Sequence, residues 1–264
     1  MIKSIIELAH QAGDAILSVY HDPHTSQDDW QAKEDGSPLT RADLSSHQCI
    51  VDGLTAITPA LPILSEESDI AIDYELRQHW DRYWLVDPLD GTKEFVKRNG
   101  EFTVNIALIE QGQPILGVVY APVLKTTYFA ESSMGAFKQE ADQPPQAIHC
   151  QSSQGLITAV VSKSHMNEET AAFIHAVEKH YDQTVDAVSV GSSLKLCFVA
   201  EGKACVYPRL GPTMEWDTAA ADAIVRAAGG CVVDADRHQP LQYNKRDLLN
   251  PHFIVHSADF SIQW

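Results

Sequence analysis

Trp84-Leu85-Val86-Asp87-Pro88-Leu89-Asp90-Gly91-Thr92 decides the fold of this 264-residue chain, because an apolar strand runs directly into two carboxylates, a proline and a glycine turn. The first three residues of the stretch are typical of a buried strand. Pro88 has no N–H to give to a sheet, so we expect the strand to end near Asp87. Gly91 can adopt a positive φ and close a tight turn. The stretch therefore predicts a strand whose end presents Asp87 and Asp90 side by side.

The spacing of these two acids favours a divalent metal site. Asp87 and Asp90 lie three positions apart across the turn, so their side chains and the main-chain carbonyl of Leu89 can converge on one point. Hard oxygen ligands of this kind suit Mg²⁺. Two adjacent carboxylates raise each other's pKa, and a bound cation keeps both ionised. Asp-Pro and Asp-Gly are also ordinary turn pairs, and that interpretation stays open for this stretch alone.

Two more segments place acids where a strand ends or a helix begins. Ile63 to Ser68 repeats the pattern, with Glu66 and Glu67 after a short apolar run, and Met214 to Ala220 places Asp217 before an alanine-rich helix. Asp217 can equally cap that helix, which is the commoner role for an aspartate there. Acids at three such ends favour one shared site over three unrelated turns.

The first part of the chain predicts two helices. Apolar residues recur at helical spacing from Ile2 to Tyr20, which predicts a helix with one buried face. Thr40 and Asp43 form a Thr-x-x-Asp arrangement that predicts the start of a second helix through a capping box. The polar segment 21–38 between them predicts a loop.

The rest of the chain predicts two kinds of sheet. Three β-rich runs between Thr103 and Ala130 predict an antiparallel meander. Beyond Ala141 to Gln146, which breaks the regular pattern, apolar strands alternate with helices. We therefore predict a mixed α+β and α/β fold in two parts: residues 1–143, with most of the acids, and residues 144–264, with Asp217.

Composition limits the classes of function. The formal net charge is −17, so a nucleic-acid backbone would be repelled over a Debye length of about 10 Å, and no such polymer is expected as a partner. The five cysteines are odd in number and show no Cys-x-x-Cys pair, which predicts neither a zinc site nor a disulfide framework and favours a reducing cytoplasm. No apolar run approaches the roughly 20 residues of a membrane span.

Glu66-Glu67, Asp87 to Thr92 and Trp216-Asp217 resemble, in this order, the motifs of the inositol monophosphatase superfamily of Mg²⁺-dependent, lithium-sensitive phosphatases. The resemblance spans nearly the whole chain and implies an alternating αβαβα layered sandwich. Within that superfamily the chain is most similar to bacterial 3'(2'),5'-bisphosphate nucleotidases of the CysQ type. Five segments carry that finer likeness: Lys93-Glu94-Phe95, Gly100 to Ala107, Val161 to His165, Gly191 to Lys195 and Tyr207-Pro208-Arg209.

The resemblance implies two or three Mg²⁺ ions. It places the first on Glu66, Asp87 and the carbonyl of Leu89. It places the second on Asp87, Asp90 and Asp217, and a weaker third near Glu66. Metal ions among these acids would also invert the local charge, so that an anionic phosphate can enter a chain that is acidic overall.

A role for three side chains in activating water is also implied by the resemblance. Glu66 and the Thr92 hydroxyl would position and deprotonate the attacking water, and Asp43 would orient Thr92. The loop at residues 21–38 would approach the active site. From the residues alone, Asp43 keeps its structural interpretation as the acid of the capping box.

The substrate contacts implied by the resemblance come from the turn after the metal loop and from loops of the second part. Without the resemblance, the serines are ordinary helix caps and the basic side chains stay in solvent. With it, an arginine can add a bidentate contact to a phosphate. The implied contacts are Asp90, Gly91, Thr92, His165, Ser192, Lys195, Arg209 and Asp217.

The function expected from the resemblance is hydrolysis of the 3'-phosphate of adenosine 3',5'-bisphosphate, and of its sulfated relative, in sulfur assimilation. The partner is thus a small phosphorylated nucleotide. We expect a monomer in the cytoplasm, free or peripheral at the inner face of the bacterial cell membrane.

Three alternatives stay open. An inositol or fructose-bisphosphate phosphatase would use the same acids. A Mg²⁺-dependent nucleotide sensor would bind without turnover. An aspartyl-phosphate hydrolase of the haloacid dehalogenase kind is disfavoured, because that family uses Asp-x-Asp whereas two residues separate Asp87 from Asp90.

Overall fold

The computed structural model describes residues 1–22, 31–32, 38–68, 72–151, 155–161 and 167–260. Two helices begin the chain, α1 (Ile2–Tyr20) and α2 (Arg41–Ile57), with the antiparallel two-residue strands β1 (Gln31–Ala32) and β2 (Pro38–Leu39) between them. Both helices confirm the sequence prediction, and the buried residues of α1 form the expected apolar stripe. Most of the predicted loop at residues 21–38 lies outside the described residues.

The first sheet has seven strands in sequence order and confirms the predicted meander. The one parallel pair joins its first two strands, and every other neighbouring pair is antiparallel. A short helix α3 (Tyr74–Arg77) precedes the second strand, and α4 (Thr92–Val96) follows it. The strands are β3 (Ile63–Ser65), β4 (Arg82–Asp90), β5 (Thr103–Glu110), β6 (Gln113–Ala121), β7 (Thr126–Glu131), β8 (Gly135–Glu140) and β9 (Gln146–Ala147).

The predicted end of β4 near Asp87 is wrong, because the strand continues through Pro88 to Asp90. On one side, the pairing of β4 with β3 stops at Val86, so Pro88 faces no strand that needs its missing N–H. On the other side, the register with β5 shifts between Asp87 and Asp90, as in a β-bulge. Gly91 follows at φ 92°, the left-handed conformation that the sequence predicts.

The second sheet has five strands in the order β11-β10-β12-β14-β13. Along the chain, helices separate its three parallel strands. The strand that comes last in the sequence, β14, pairs antiparallel with β12 and β13. This confirms the predicted alternation of strands and helices. The elements are β10 (Thr158–Val161), α5 (Glu168–Tyr181), β11 (Asp186–Ser189), α6 (Leu194–Ala200), β12 (Val206–Arg209), α7 (Glu215–Ala227), β13 (Gly230–Asp234) and β14 (Phe253–Ser257).

The helices and the two sheets stack in five layers, as the side chains on each face of the sheets show. Successive residues of a strand point to opposite faces of its sheet. Trp84 and Val86 pack against α1 and α2, whereas Tyr83 and Leu85 pack in a core shared by α6, α7 and the second sheet. Helix α5 covers the far face of the second sheet with Phe173. The order α1/α2, first sheet, α6/α7, second sheet, α5 confirms the αβαβα sandwich.

The division into two parts stays a prediction. Strand β9 extends the first sheet to Ala147, beyond the predicted boundary. Residues of the first sheet, α7 and the second sheet also share one hydrophobic core. Among the described residues, no helix is long and apolar enough to cross a membrane.

Candidate metal centre and active site

Three acids from separate elements meet at one edge of the first sheet. Glu66 follows β3, Asp87 lies in β4 and Asp217 lies in the first turn of α7, and one carboxylate oxygen from each lies within 4.8 Å of the others. Strands β3 and β4 run parallel, so their carboxyl ends lie at the same edge. The N–H of Glu66 donates to the carbonyl of Val86 at 3.1 Å, which continues that pairing. Three of the four acids predicted to share one site thus lie together, and their assignment as metal ligands stays a prediction.

Burial and mutual repulsion make this cluster costly without a cation. Asp87 is only 1% exposed. Its pKa is raised well above the usual value, first by burial and then by the charges of Glu66, Asp90 and Asp217. Burial, followed by the charges of Asp90 and Glu66, also raises the pKa of Asp217 to about 8. An all-oxygen, acid-rich cluster of this kind fits a divalent cation such as Mg²⁺.

Asp90 lies beside the close set of three rather than within it. It lines the same cavity, but its Oδ2 accepts a hydrogen bond from the Ser193 hydroxyl at 2.7 Å. The N–H of Leu89 donates to Oδ1 of Asp87 at 3.0 Å and so fixes the turn between the two aspartates. The predicted metal contacts of Asp90 and of the Leu89 carbonyl stay predictions.

Asp43 caps α2 and also lies beside Thr92. Its Oδ2 accepts from the N–H of Thr40 at 2.8 Å and from the Thr40 hydroxyl at 2.6 Å, which forms the predicted cap of α2. Its Oδ1 lies 3.4 Å from the Thr92 hydroxyl, which lies equally far from the carbonyl of Leu89. Because Asp43 is fully buried, the cap holds the carboxylate in place next to Thr92.

Asp217 also combines two roles. It is the third residue of α7, and its Oδ2 accepts from the N–H of Met214 at 2.9 Å. This capping contact uses one oxygen, and the side chain still belongs to the cluster with Glu66 and Asp87. The helix start thus fixes the orientation of an acid that α7 brings to the first sheet.

A cavity of about 880 Å³ opens above the acids. Its lining includes the three clustered acids with Asp90, Gly91 and Thr92. It also includes the segment from the end of β12 to the start of α7, with Arg209 and Trp216. Its volume lies within the usual range for sites that enclose a small organic ligand.

A second cavity of about 70 Å³ lies between β12 and the start of α6. Lys195 lines it and donates from Nζ to the carbonyl of Ser192 at 2.6 Å. Burial lowers the pKa of this lysine. Among the described residues, the hydroxyl of Ser192 is buried without a hydrogen-bond partner, and so is Nε of Arg209. These three predicted substrate contacts therefore lie together, whereas His165 lies outside the described residues.

Sequence reasoning missed two polar residues beneath the acids. Ser193 and Asn105 are each 1% exposed, and Nδ2 of Asn105 donates to the Ser193 hydroxyl at 2.8 Å. Asn105 lies among the apolar residues of a buried strand, between Val104 and Ile106. This is a signal that could have singled it out, since a buried amide needs partners. Ser193 carries no such signal, because a serine before a helix is an ordinary cap.

Comparisons with known proteins agree with this geometry. A profile described as the inositol monophosphatase family matches residues 1–261. The chain is 49% identical over 256 residues to the 3'(2'),5'-bisphosphate nucleotidase CysQ of Salmonella typhimurium, covering 97% of this chain and 99% of that protein. The same values hold for its namesake in Escherichia coli K12.

Solved structures give the same likeness in three dimensions. CysQ from Bacteroides thetaiotaomicron, described as a bacterial member of the inositol monophosphatase family, is 46% identical, with a TM-score of 0.87 over 98% of this chain and 97% of that chain. An inositol monophosphatase (IMPase) from Thermotoga maritima is 26% identical, with a TM-score of 0.76 over 97% and 91% of the two chains.

Proposed function

The chain belongs to the inositol monophosphatase family, and we propose that it is a 3'(2'),5'-bisphosphate nucleotidase. It hydrolyses the 3'-phosphate of adenosine 3',5'-bisphosphate to give AMP and phosphate. The observation that carries this assignment is its 49% identity to nucleotidases of that name over nearly their full length. The cluster of Glu66, Asp87 and Asp217 supplies a site whose chemistry suits that reaction.

The metal is divalent, and Mg²⁺ in two or three positions is the proposal that the donor set supports. Glu66, Asp87 and Asp217 would hold it, joined by Asp90 and the carbonyl of Leu89. When bound there, the metal supplies positive charge to the phosphoryl oxygens and lowers the pKa of a water molecule. The raised pKa values of Asp87 and Asp217 support this assignment, because a cation would offset the repulsion that raises them.

The chain's own side chains position the attacking water. Glu66 and the Thr92 hydroxyl flank the cavity on the side of the acids and orient the water toward phosphorus. Asp43, held by the cap of α2, accepts the hydroxyl proton of Thr92 and so turns a lone pair of that oxygen toward the water. Glu66 takes the proton from the water as general base.

Binding of the rest of the nucleotide falls to the basic groups around the small cavity. Lys195 and Arg209 supply positive charge, and the unpartnered Ser192 hydroxyl supplies a donor. A phosphate or sugar hydroxyl there would satisfy groups that are otherwise buried without partners. Gly91 and Thr92 stay predicted contacts of the phosphate that is cleaved, and His165 stays a predicted contact of the nucleotide.

The proposal also includes a second substrate, a location in the cell and a boundary between the two parts of the chain. The sulfated relative of the nucleotide is a second substrate, because sulfation changes the 5' side and leaves the 3'-phosphate as it is. The protein acts as a cytoplasmic monomer, free or at the inner face of the membrane, in sulfur assimilation. The chain divides at residues 143 and 144, so that the second part contributes Asp217 and the nucleotide loops.

Phosphate release tests the proposal. We would compare adenosine 3',5'-bisphosphate, inositol 1-phosphate and fructose 1,6-bisphosphate, each with and without Mg²⁺. Release is expected mainly from the nucleotide, only with Mg²⁺, and with inhibition by lithium. Asp87→Asn is expected to abolish it. Ser257→Ala is the matched control, since Ser257 is a buried serine that bonds to Asp259 and lines neither cavity.

Two outcomes would replace the proposal. Robust release from inositol 1-phosphate with none from the nucleotide would make the chain a sugar-phosphate phosphatase with the same acids. Mg²⁺-dependent binding of the nucleotide without release would make it a sensor.

A further inference from the structure

We propose that Ser193 is a positioning residue that ties Asp90 to the start of α7 and so fixes the spacing between two acids of the metal site. Asp90 and Asp217 reach that site from opposite halves of the chain, so their separation depends on how the halves are joined. The inference rests on the proposed function, because the spacing matters to the reaction only if both acids serve the same metal centre.

Three short contacts converge on the Ser193 hydroxyl. Its Oγ lies 2.7 Å from Oδ2 of Asp90 and 2.6 Å from the main-chain carbonyl of Asp217. Nδ2 of Asn105 donates to the same oxygen at 2.8 Å. Ser193 is 1% exposed, so water does not compete freely for these groups. One hydroxyl thus joins the end of strand β4, strand β5 and helix α7.

The Ser193 hydroxyl has one proton for two neighbouring acceptors and accepts from one donor. A serine oxygen offers one proton and two lone pairs. The proton is shared between the carboxylate of Asp90 and the carbonyl of Asp217, while Asn105 donates to a lone pair. With alanine at position 193, the Asp90 carboxylate and the Asp217 carbonyl would lose this donor. A buried acceptor without a donor carries a desolvation penalty.

The contact also decides which oxygen of Asp90 is available. Both protein hydrogen bonds of the Asp90 carboxylate use Oδ2, the second being a long contact of 3.5 Å to Asn105. Within the described part of the chain, Oδ1 has no such bond. Partners that hold one oxygen of a metal ligand orient the other, and their loss weakens metal binding.

A second tie keeps Ser193 itself in place. The N–H of Gly191 donates to Oε2 of Glu101 at 2.8 Å. A Cβ added at Gly191 would come within 2.7 Å of the carbonyl of Glu101, so the two segments are already in close contact. Between Gly191 and Ser193, the backbone of Ser192 has a φ of 51°, in the left-handed region. The loop before α6 is thereby fastened to the first half at Gly191 as well as at Ser193.

Direct measurement of metal affinity tests this role. Isothermal titration of the intact protein with Mg²⁺ is expected to give a Kd about 10- to 100-fold higher for Ser193→Ala than for wild type. Ser193→Thr keeps the hydroxyl and is expected to restore the affinity. Ser257→Ala, also a buried serine bonded to a carboxylate, is the control and should bind Mg²⁺ as wild type does. Kinetics should show the lost activity of Ser193→Ala largely recovered at high Mg²⁺.

The results separate this inference from the proposed function. Wild type that neither binds Mg²⁺ nor releases phosphate would overturn both. Wild type that does both, beside Ser193→Ala with an unchanged Kd, would overturn the inference alone. Should Ser193→Ala aggregate, Asn105→Ala removes one contact of the same hydroxyl, and a Kd equal to wild type in that variant would count against the inference.

Discussion

The Thr92 hydroxyl lies 3.4 Å from Oδ1 of Asp43, whose Oδ2 is held by the N–H and hydroxyl of Thr40. The cap of a helix thus fixes a carboxylate that faces a predicted catalytic hydroxyl. An acid anchored by one oxygen can orient a neighbour with the other, because its rotamer is already set. One residue can therefore serve both the capping box and the orienting role proposed for Asp43.

Asp43→Asn is expected to lower kcat about 100-fold with a smaller change in KM, since an amide cannot accept on both sides as the carboxylate does. Steady-state kinetics of phosphate release at saturating Mg²⁺ measure this. Asp73→Asn is the matched control, because Asp73 caps α3 by accepting from the N–H of Glu75 and lines no site cavity. Equal kcat in the two variants would contradict the role given to Asp43.

Metal-free protein is expected to lose stability as pH rises from about 4 to about 8. The folded pKa of Asp217 is about 8, against roughly 3.9 in an unfolded chain. Between these values the folded state binds more protons than the unfolded state, so the free energy of unfolding falls with pH. One group contributes at most about 1.4 kcal/mol per pH unit.

Thermal melts in EDTA across that pH range measure the effect. Asp217→Asn removes the titrating group, so its melting temperature should fall less steeply with pH. Saturating Mg²⁺ should reverse the trend in wild type, because metal and protons compete for the same carboxylates. Parallel curves for wild type and Asp217→Asn in EDTA would show that Asp217 does not carry this dependence.

The sequence predicted the main strands and helices, and the acids at their ends, for reasons that are local, whereas the order of the layers was implied by the family resemblance. Trp84 to Val86 are buried on both faces of a sheet and therefore read as one apolar run. The end of β4 was predicted too early. A proline destabilises a strand only where a neighbouring strand would accept a hydrogen bond from an N–H at that position, and the pairing with β3 stops before Pro88. The bond from Ser193 to Asp90 joins residues 103 positions apart. No pattern within either segment predicts such a contact.

Lys245→Met is expected to lower the free energy of unfolding by about 2 to 3 kcal/mol. The carboxylate of Glu215 is fully buried at the start of α7 and accepts from the N–H of Asn244 at 2.7 Å, the N–H of Lys245 at 3.0 Å and Nζ of Lys245. Burial raises the pKa of Glu215, and the lysine opposes that shift. Removing the lysine therefore leaves a buried charge with two main-chain donors.

Urea unfolding in EDTA measures that cost without a contribution from metal. Lys203→Met is the control, because Nζ of Lys203 lies 2.9 Å from Glu201 but that acid also bonds to Lys138 and Tyr128. The Lys203→Met substitution should lower the free energy of unfolding by less than about 1 kcal/mol. If the two variants unfolded at the same urea concentration, the pair at Glu215 would be no more than a surface interaction.

Gly117→Ala is expected to destabilise the protein by about 3 kcal/mol or more, because overpacking at a contact between backbones cannot be relieved by rotating a side chain. Strand β6 meets α7 at this point, and a Cβ on Gly117 would overlap the carbonyl of Ala220 and come within 3.0 Å of Cβ of Ala223. The helix must move away from the sheet to make room. Since α7 carries Asp217, we also expect weaker Mg²⁺ binding in the fraction that folds.

Gly155→Ala is the control for that substitution, because no described residue lies within 4 Å of a Cβ there and the backbone has no positive φ. Its unfolding free energy should stay within about 0.5 kcal/mol of wild type. Urea unfolding and Mg²⁺ titration of the two variants separate the causes. A folded Gly117→Ala with wild-type Mg²⁺ affinity would mean that Asp217 is placed by its own helix cap and by Ser193, and that the depth at which α7 packs on β6 does not set the metal site.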